Sequence, residues 1–157
     1  MLKIINNQYL NNYEINLIRA GLLYWATKKT AQLLRNGNLS ELDTSHLVEE
    51  IEDMGRSQKQ AFESNLVVVL KHLLTYKYQP EMRSGSWKFS IREHRRRLRK
   101  QLKDSPSLKP YFSEMFEECY VEAKAQASDE TGLAVDIFPE RSPFPPEQTL
   151  DSDYLPG

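Results

Sequence analysis

Metal chemistry is the first possibility raised by the residue types of this chain. His46 is followed by Glu49, Glu50, Glu52 and Asp53. On a helix, residues three or four apart share a face, so Glu50 with Asp53, or Glu49 with Glu52 or Asp53, can offer two carboxylates to one hard cation such as Mg2+ or Mn2+. Glu114, Glu117, Glu118 and Glu122 repeat the pattern and could supply a second helix. A divalent cation held there, with Arg83 or Arg92 clamping a phosphate, would make a metal-dependent phosphohydrolase. The same acids equally make a solvated face that favours a helix N-terminus and attracts basic residues.

Two histidines open another route to a metal. His72 lies 18 residues after Met54, five full helical turns, and so shares its azimuth. His94 sits on the apolar stripe of the following helix. If the two helices are antiparallel and turn at residues 79–86, the imidazoles stand at similar height, and with Glu50 or a carboxylate of the fourth helix they could complete a Zn or Fe site. The competing reading is a pair of core histidines satisfied by Tyr, Ser or carboxylate partners.

Anion chemistry is concentrated in the next segment. Arg83, Ser84, Gly85 and Ser86 precede a helix whose free amides favour a phosphate or carboxylate, and Arg92 lies two turns further on. The same residues also suffice for a plain N-cap, with Trp87 locking the turn against the core. From Arg92 to Lys103 run five arginines and two lysines, a sequence that would attract a phosphate backbone. No aromatic residues interleave to stack bases and no nucleic-acid module surrounds the run. Internal pairing with the acids of the second helix and tail, or plain solvation, is the favoured reading of the run, and an acidic protein or a membrane surface is a further alternative. For the chain as a whole a protein or small anion is expected ahead of nucleic acid. Cys119 lies on an apolar stripe with no base beside it and reads as a core thiol.

These groups are positioned by helices. Ile15, Ile18, Leu22, Trp25 and Leu33 or Leu34 recur at helical steps after Asn12, and Asn36-Gly37-Asn38 supplies a stop. Asp43 is a good N-cap for a helix running without proline from Thr44 to about Tyr78. Its expected seam is Leu47, Ile51, Met54, Ala61, Val68 and His72, with the C-terminal half the most buried part of the fold and Gly55 a place to bend. Trp87, Ile91, His94, Leu98 and Leu102 mark a third helix. Leu108, Phe112, Met115 or Phe116, Cys119 and Ala123 mark a fourth, ending at Gly132. Prolines 139, 143, 145, 146 and 156 forbid a long helix after Ile137, yet Phe138, Phe144 and Tyr154 are too apolar for a free tail. The spacing therefore predicts an all-α, antiparallel bundle of about four helices in one domain, 1–157. Residues 1–12 are expected to be flexible and 137–157 to wrap along the bundle as a Pro-rich tail.

Composition narrows the function classes. The chain has 157 residues and a formal net charge of −1, enough for a core without disulfide or metal support. One cysteine and no signal-like start point to the cytoplasm. The longest aliphatic run, Leu66 to Leu70, is far too short to cross a bilayer. The charge is arranged in blocks. Residues 41–63 hold seven acids against Arg56 and Lys59, a net of −5; residues 88–103 hold eight bases against Glu93, a net of +7; residues 111–157 hold eleven acids against Lys124 and Arg141, a net of −9. The third helix should accordingly lie against the acidic second helix or the tail.

The segments HLVEEIEDMGRS (46–57), HLLTYKYQPEMRSGSW (72–87) and IREHRRRLRKQLKDSPSL (91–108), with the terminal ETGL, FPE, SPF and LPG, resemble a bacterial family abundant in cyanobacteria and known as domain of unknown function twenty-nine. The resemblance runs from about Tyr24 to Gly157. It implies a single all-α domain of a bacterial cytoplasm and brings no activity, cofactor or catalytic residue with it. A non-catalytic binding module is the leading functional expectation, ahead of the phosphohydrolase and of nucleic-acid binding.

Overall fold

The computed structural model describes the backbone of residues 12–157 and the side chains of residues 24–157. The expectations for residues 1–11 and for the Ile15, Ile18 and Leu22 side chains lie outside these. Among the described residues five α-helices follow in chain order: α1 (Asn12–Arg35), α2 (Thr44–Tyr78), α3 (Gly85–Asp104), α4 (Leu108–Thr131) and the short α5 (Pro146–Leu150). Single 3-10 turns cover Leu39–Glu41, Pro80–Met82 and Val135–Ile137. The described residues contain no strand, and no helix among them is long and apolar enough to cross a membrane. The chain is an all-α bundle with its proline-rich tail packed on it.

Two compact units divide the chain, residues 1–52 and 53–157. In the first, α1 ends at Asn36-Gly37, where Gly37 takes φ +71°, a conformation that L side chains avoid. Asp43 then caps α2: its carboxylate accepts from the His46 backbone amide at 3.2 Å and meets His46 Nδ1 at 2.5 Å.

In the second unit the pairings fix direction. Gln58 of α2 reaches Ser105, and Asn65 reaches both Gln101 and His94. Ascending residues of α2 meet descending residues of α3, so these helices are antiparallel. Glu63 meets Tyr111 and Lys71 meets Glu130, so α2 and α4 run the same way. An up-down-up bundle needs only short connections, and residues 79–84 and 105–107 supply them.

The core is made by Phe62, Leu66, Val69, Leu70, Leu73 and Leu74 of α2, Ile91 and Leu98 of α3, and Leu108, Phe112, Phe116, Cys119, Tyr120 and Ala123 of α4. Phe112 stands edge-on to both Phe62 and Phe116, at 5.8 and 5.6 Å, an arrangement that adds quadrupole attraction to simple burial. The tail closes this core with Phe138 and Phe144, both buried; Phe138 packs against Tyr78 at 5.3 Å, and the Tyr120 hydroxyl donates to the Pro139 carbonyl. α4 starts at Leu108, which leaves Pro110 in the opening turn, and stops at Gly132 with φ +72°.

One expectation fails clearly. The seam drawn through Ile51, Met54 and Ala61 is not core: Ile51 is 59 % and Met54 69 % exposed, and Ala61 is exposed too. Trp25, assigned to the buried stripe of α1, is likewise exposed, and of the alternatives Leu33 and Leu34 the first is half-buried and the second exposed. Periodicity records that a helix has an apolar face and is silent on whether this chain covers it. The C-terminal half of α2 is the most buried stretch, as its apolar density demands.

Candidate functional site

α3 begins where Ser84 accepts from the Trp87 backbone amide at 3.4 Å, and the Ser86 hydroxyl lies 2.8 Å from that of Ser84. Arg83 turns inward along the chain. Its Nε donates to the Tyr76 carbonyl at 2.9 Å, one terminal nitrogen reaches the Pro156 carbonyl at 3.5 Å, and the guanidinium stacks on the Tyr76 ring at 4.4 Å. Of the four residues proposed to bind an anion, Arg83, Ser84 and Ser86 thus hold the turn and the end of the tail, while Arg92 stands exposed on the outer face of α3, 5.8 Å from the Phe89 ring.

The central residue of the region is Arg95, which spacing arguments passed over. It is only 2 % exposed. Nε donates to the Thr149 carbonyl at 2.8 Å, and the terminal nitrogens donate to the Tyr154 carbonyl at 2.7 Å and the Gln148 carbonyl at 3.1 Å. A planar fork with five donors suits three diverging acceptors. Burial pulls the guanidinium below the ordinary arginine range, opposed by Asp151 and Tyr154. The signal was present in the spacing: Ile91, Arg95, Leu98 and Leu102 follow at steps of four, three and four, so Arg95 lies nearer the middle of the apolar stripe than His94 does.

Around Arg95 a groove of about 610 Å³ opens between α3 and the tail, lined by Arg92, Arg96, Arg99, Lys100, Lys103, Asp104 and Ser152. The ion pairs near it are short-range. Arg96 and Arg97 share Glu93, at 2.9 and 3.0 Å, and Lys100 bonds Asp104 one turn on. The two arginines hold the Glu93 carboxyl down at about 2. Among the described residues Arg92, Arg99 and Lys103 form no ion pair. α3 does lie against the tail, as the charge blocks suggested, but it meets the tail through carbonyl oxygens rather than carboxylates. Carbonyl dipoles carry no net charge, so the helix keeps its positive surplus.

The candidate metal ligands are placed differently. Glu50 is exposed in the first unit, and Asp53 is exposed and bonded to Arg56. His94 Nδ1 lies 2.7 Å from Asn65 Oδ1. His72 Nδ1 is buried without a hydrogen-bond partner. Desolvation lowers both imidazoles' pKa, with Lys71 adding to each and Arg97 to His94, against Glu130 at His72 and Glu93 at His94. α2 and α3 bring the two histidines into each other's electrostatic range. Among the described residues no three His, Cys, Asp or Glu side chains gather closely enough to hold one metal ion. Cys119 is buried in the core, and burial lifts its thiol to about 11, outside the range of a reactive thiolate.

No curated protein and no solved structure matches the chain. One family model does, that of DUF29, described as a domain of unknown function, and it covers residues 21–155. That span takes in the C-terminal part of α1 and every later element to the tail, the Arg95 clamp and the basic groove included, and on it the chain belongs to the DUF29 family.

Proposed function

We propose that this chain is a non-catalytic interaction module that takes an acidic protein surface on the outer face of α3, in a bacterial cytoplasm where its lone Cys119 remains a thiol. The observation that carries the reading is the imbalance of the groove. Besides the buried Arg95, five bases line it against Asp104, and Arg92, Arg99 and Lys103 have no ion pair among the described residues. A surface of that kind attracts anions over about a Debye length and orients them before contact. Carboxylates fit it better than a nucleic-acid backbone does. The groove has no ring in its lining for a base to stack on, and Glu93 and Asp104 interrupt the basic track.

Fluorescence anisotropy with labelled poly-L-glutamate and with a duplex of matched charge tests the proposal. The expected result is salt-sensitive binding of polyglutamate that Arg92→Gln/Arg99→Gln/Lys103→Gln weakens at least about tenfold, or about 1.4 kcal/mol. Tighter binding of the duplex would replace the protein partner with nucleic acid. Equal binding by the triple variant would remove the groove from the account altogether.

A further inference from the structure

The basic groove has a counterpart in the same sequence. Val48 and Ile51 are 54 % and 59 % exposed on α2, and at 100° per residue they fall within one 60° sector. Glu50 borders the sector on one side and Glu52 on the other. Residues 44–58 carry four acids against Arg56 alone, and among the described residues neither Glu49 nor Glu50 forms an ion pair. An apolar stripe between acidic borders calls for a partner with an apolar contact between basic borders. The outer face of α3 has that composition: Phe89 is 60 % exposed, and at 100° per residue Arg92, Arg99 and Lys103 fall on the same side of the helix as its ring.

From this we infer that the acidic surface taken by α3 is the N-terminal part of α2 in a second copy of the chain. The inference rests on the proposed role of the α3 groove and adds the identity of its occupant. Pairing α2 with α2 would set Glu50 and Glu52 against like charges, which disfavours a two-fold contact. The α2-to-α3 contact is heterologous. Each copy therefore keeps one unused surface, and assembly continues to a ring or an open chain.

Sedimentation velocity over a dilution series reads this directly, using two variants at exposed positions. Val48→Ser/Ile51→Ser disables the donor stripe and Arg92→Gln/Arg99→Gln/Lys103→Gln the acceptor groove. The native chain should gain mass with concentration and lose it with salt, and each variant alone should sediment as monomer. An equimolar mixture of the two should restore association but stop at a dimer, because one intact stripe meets one intact groove and the two disabled surfaces cap the ends. A native chain that stays monomeric, or a mixture that stays monomeric, overturns the inference. So does assembly of either variant alone. Polyglutamate binding separates the two claims: if it persists in a chain that never self-associates, the groove stands and only the second copy is wrong. Should either variant lose its helical circular dichroism, Glu50→Lys replaces the first and Arg99→Gln the second, with the same expected outcomes.

Discussion

Replacing Arg95 should release the tail while leaving the three-helix core in place. The side chain donates to three tail carbonyls and is almost fully buried. A hydrogen bond to a charged group contributes about 1.5–3 kcal/mol, and a buried acceptor left without a donor costs about 1–3 kcal/mol. The three acceptors do not weigh equally. Gln148 is exposed and Tyr154 half-buried, so their carbonyls can find water, whereas Thr149 is buried. Removing the guanidinium also returns its own desolvation cost. The balance for Arg95→Met, which keeps most of the stem, is a loss of about 3 kcal/mol, or about 10 °C in Tm for a chain of this size. Arg95→Lys keeps the charge but brings one nitrogen to three diverging oxygens, and should lose about 2 kcal/mol. Urea unfolding gives the free energies. Hydrogen exchange locates them: the amides of Thr149 and Asp151, bonded to Pro145 and Gln148, should lose protection before those of α4. Arg99→Ala, on the exposed face, should stay within about 0.5 kcal/mol. A loss below about 1 kcal/mol for Arg95→Met, with Thr149 still protected, would refute the clamp.

Three further outcomes follow from the same packing. Native Cys119 should resist a thiol reagent at neutral pH, its thiol lifted to about 11 by burial, and should react fully only in denaturant; rapid native labelling would show an open core. Gly132→Ala should cost about 1 kcal/mol in urea unfolding, because φ is +72° and no side-chain clash is involved; Gly132→Asn should cost less. The folded chain holds the His72 and His94 pKa values below the usual 6.5, so below that pH the unfolded chain binds more protons and stability falls as the solution is acidified. Urea unfolding at about pH 7.5 and about pH 5.5 should show that loss, and His72→Gln/His94→Gln should abolish the part due to imidazoles; an unchanged pH slope in the double variant would exclude them.

Much of this architecture was legible from local chemistry. Asp43, Ser84 and Gly132 announce helix ends because capping is a matter of one side-chain oxygen or one left-handed residue. The absence of proline between Thr44 and Tyr78 announces a helix of 35 residues. Phe138 and Phe144 announce a packed tail because two large rings are costly to leave in water. The illegible parts depend on what stands opposite. The stripe of Ile51 and Met54 is as periodic as that of Leu66 and Leu70, and only the fold shows the first exposed and the second buried. Arg95 was counted with the basic surface because charge suggests solvent. Its place between Ile91 and Leu98 carried the opposite message, that a long cation on an apolar stripe has a buried acceptor to reach.

α3 thus has two basic faces with different tasks, and the ion pairs decide which is which. Inside, Arg95 gives its donors to carbonyls and is consumed in fastening the tail. Outside, Glu93 is held ionised by Arg96 and Arg97, Asp104 answers Lys100, and with these acids already engaged nothing along the helix answers Arg92, Arg99 or Lys103. The tail's own carboxylates do not close the difference, since Asp151 and Asp153 make no ion pair with α3 among the described residues. A net charge of −1 for the whole chain therefore conceals a surplus that local pairing cannot remove. The two tasks should separate by substitution: changes at Arg95 lower stability and leave anion binding in the folded fraction, while changes at Arg92, Arg99 and Lys103 together weaken binding at least about tenfold at unchanged stability. A single substitution at Arg99 that lowered both together would mean that the outer face is held by contacts of its own, and the division of labour along the helix would fall.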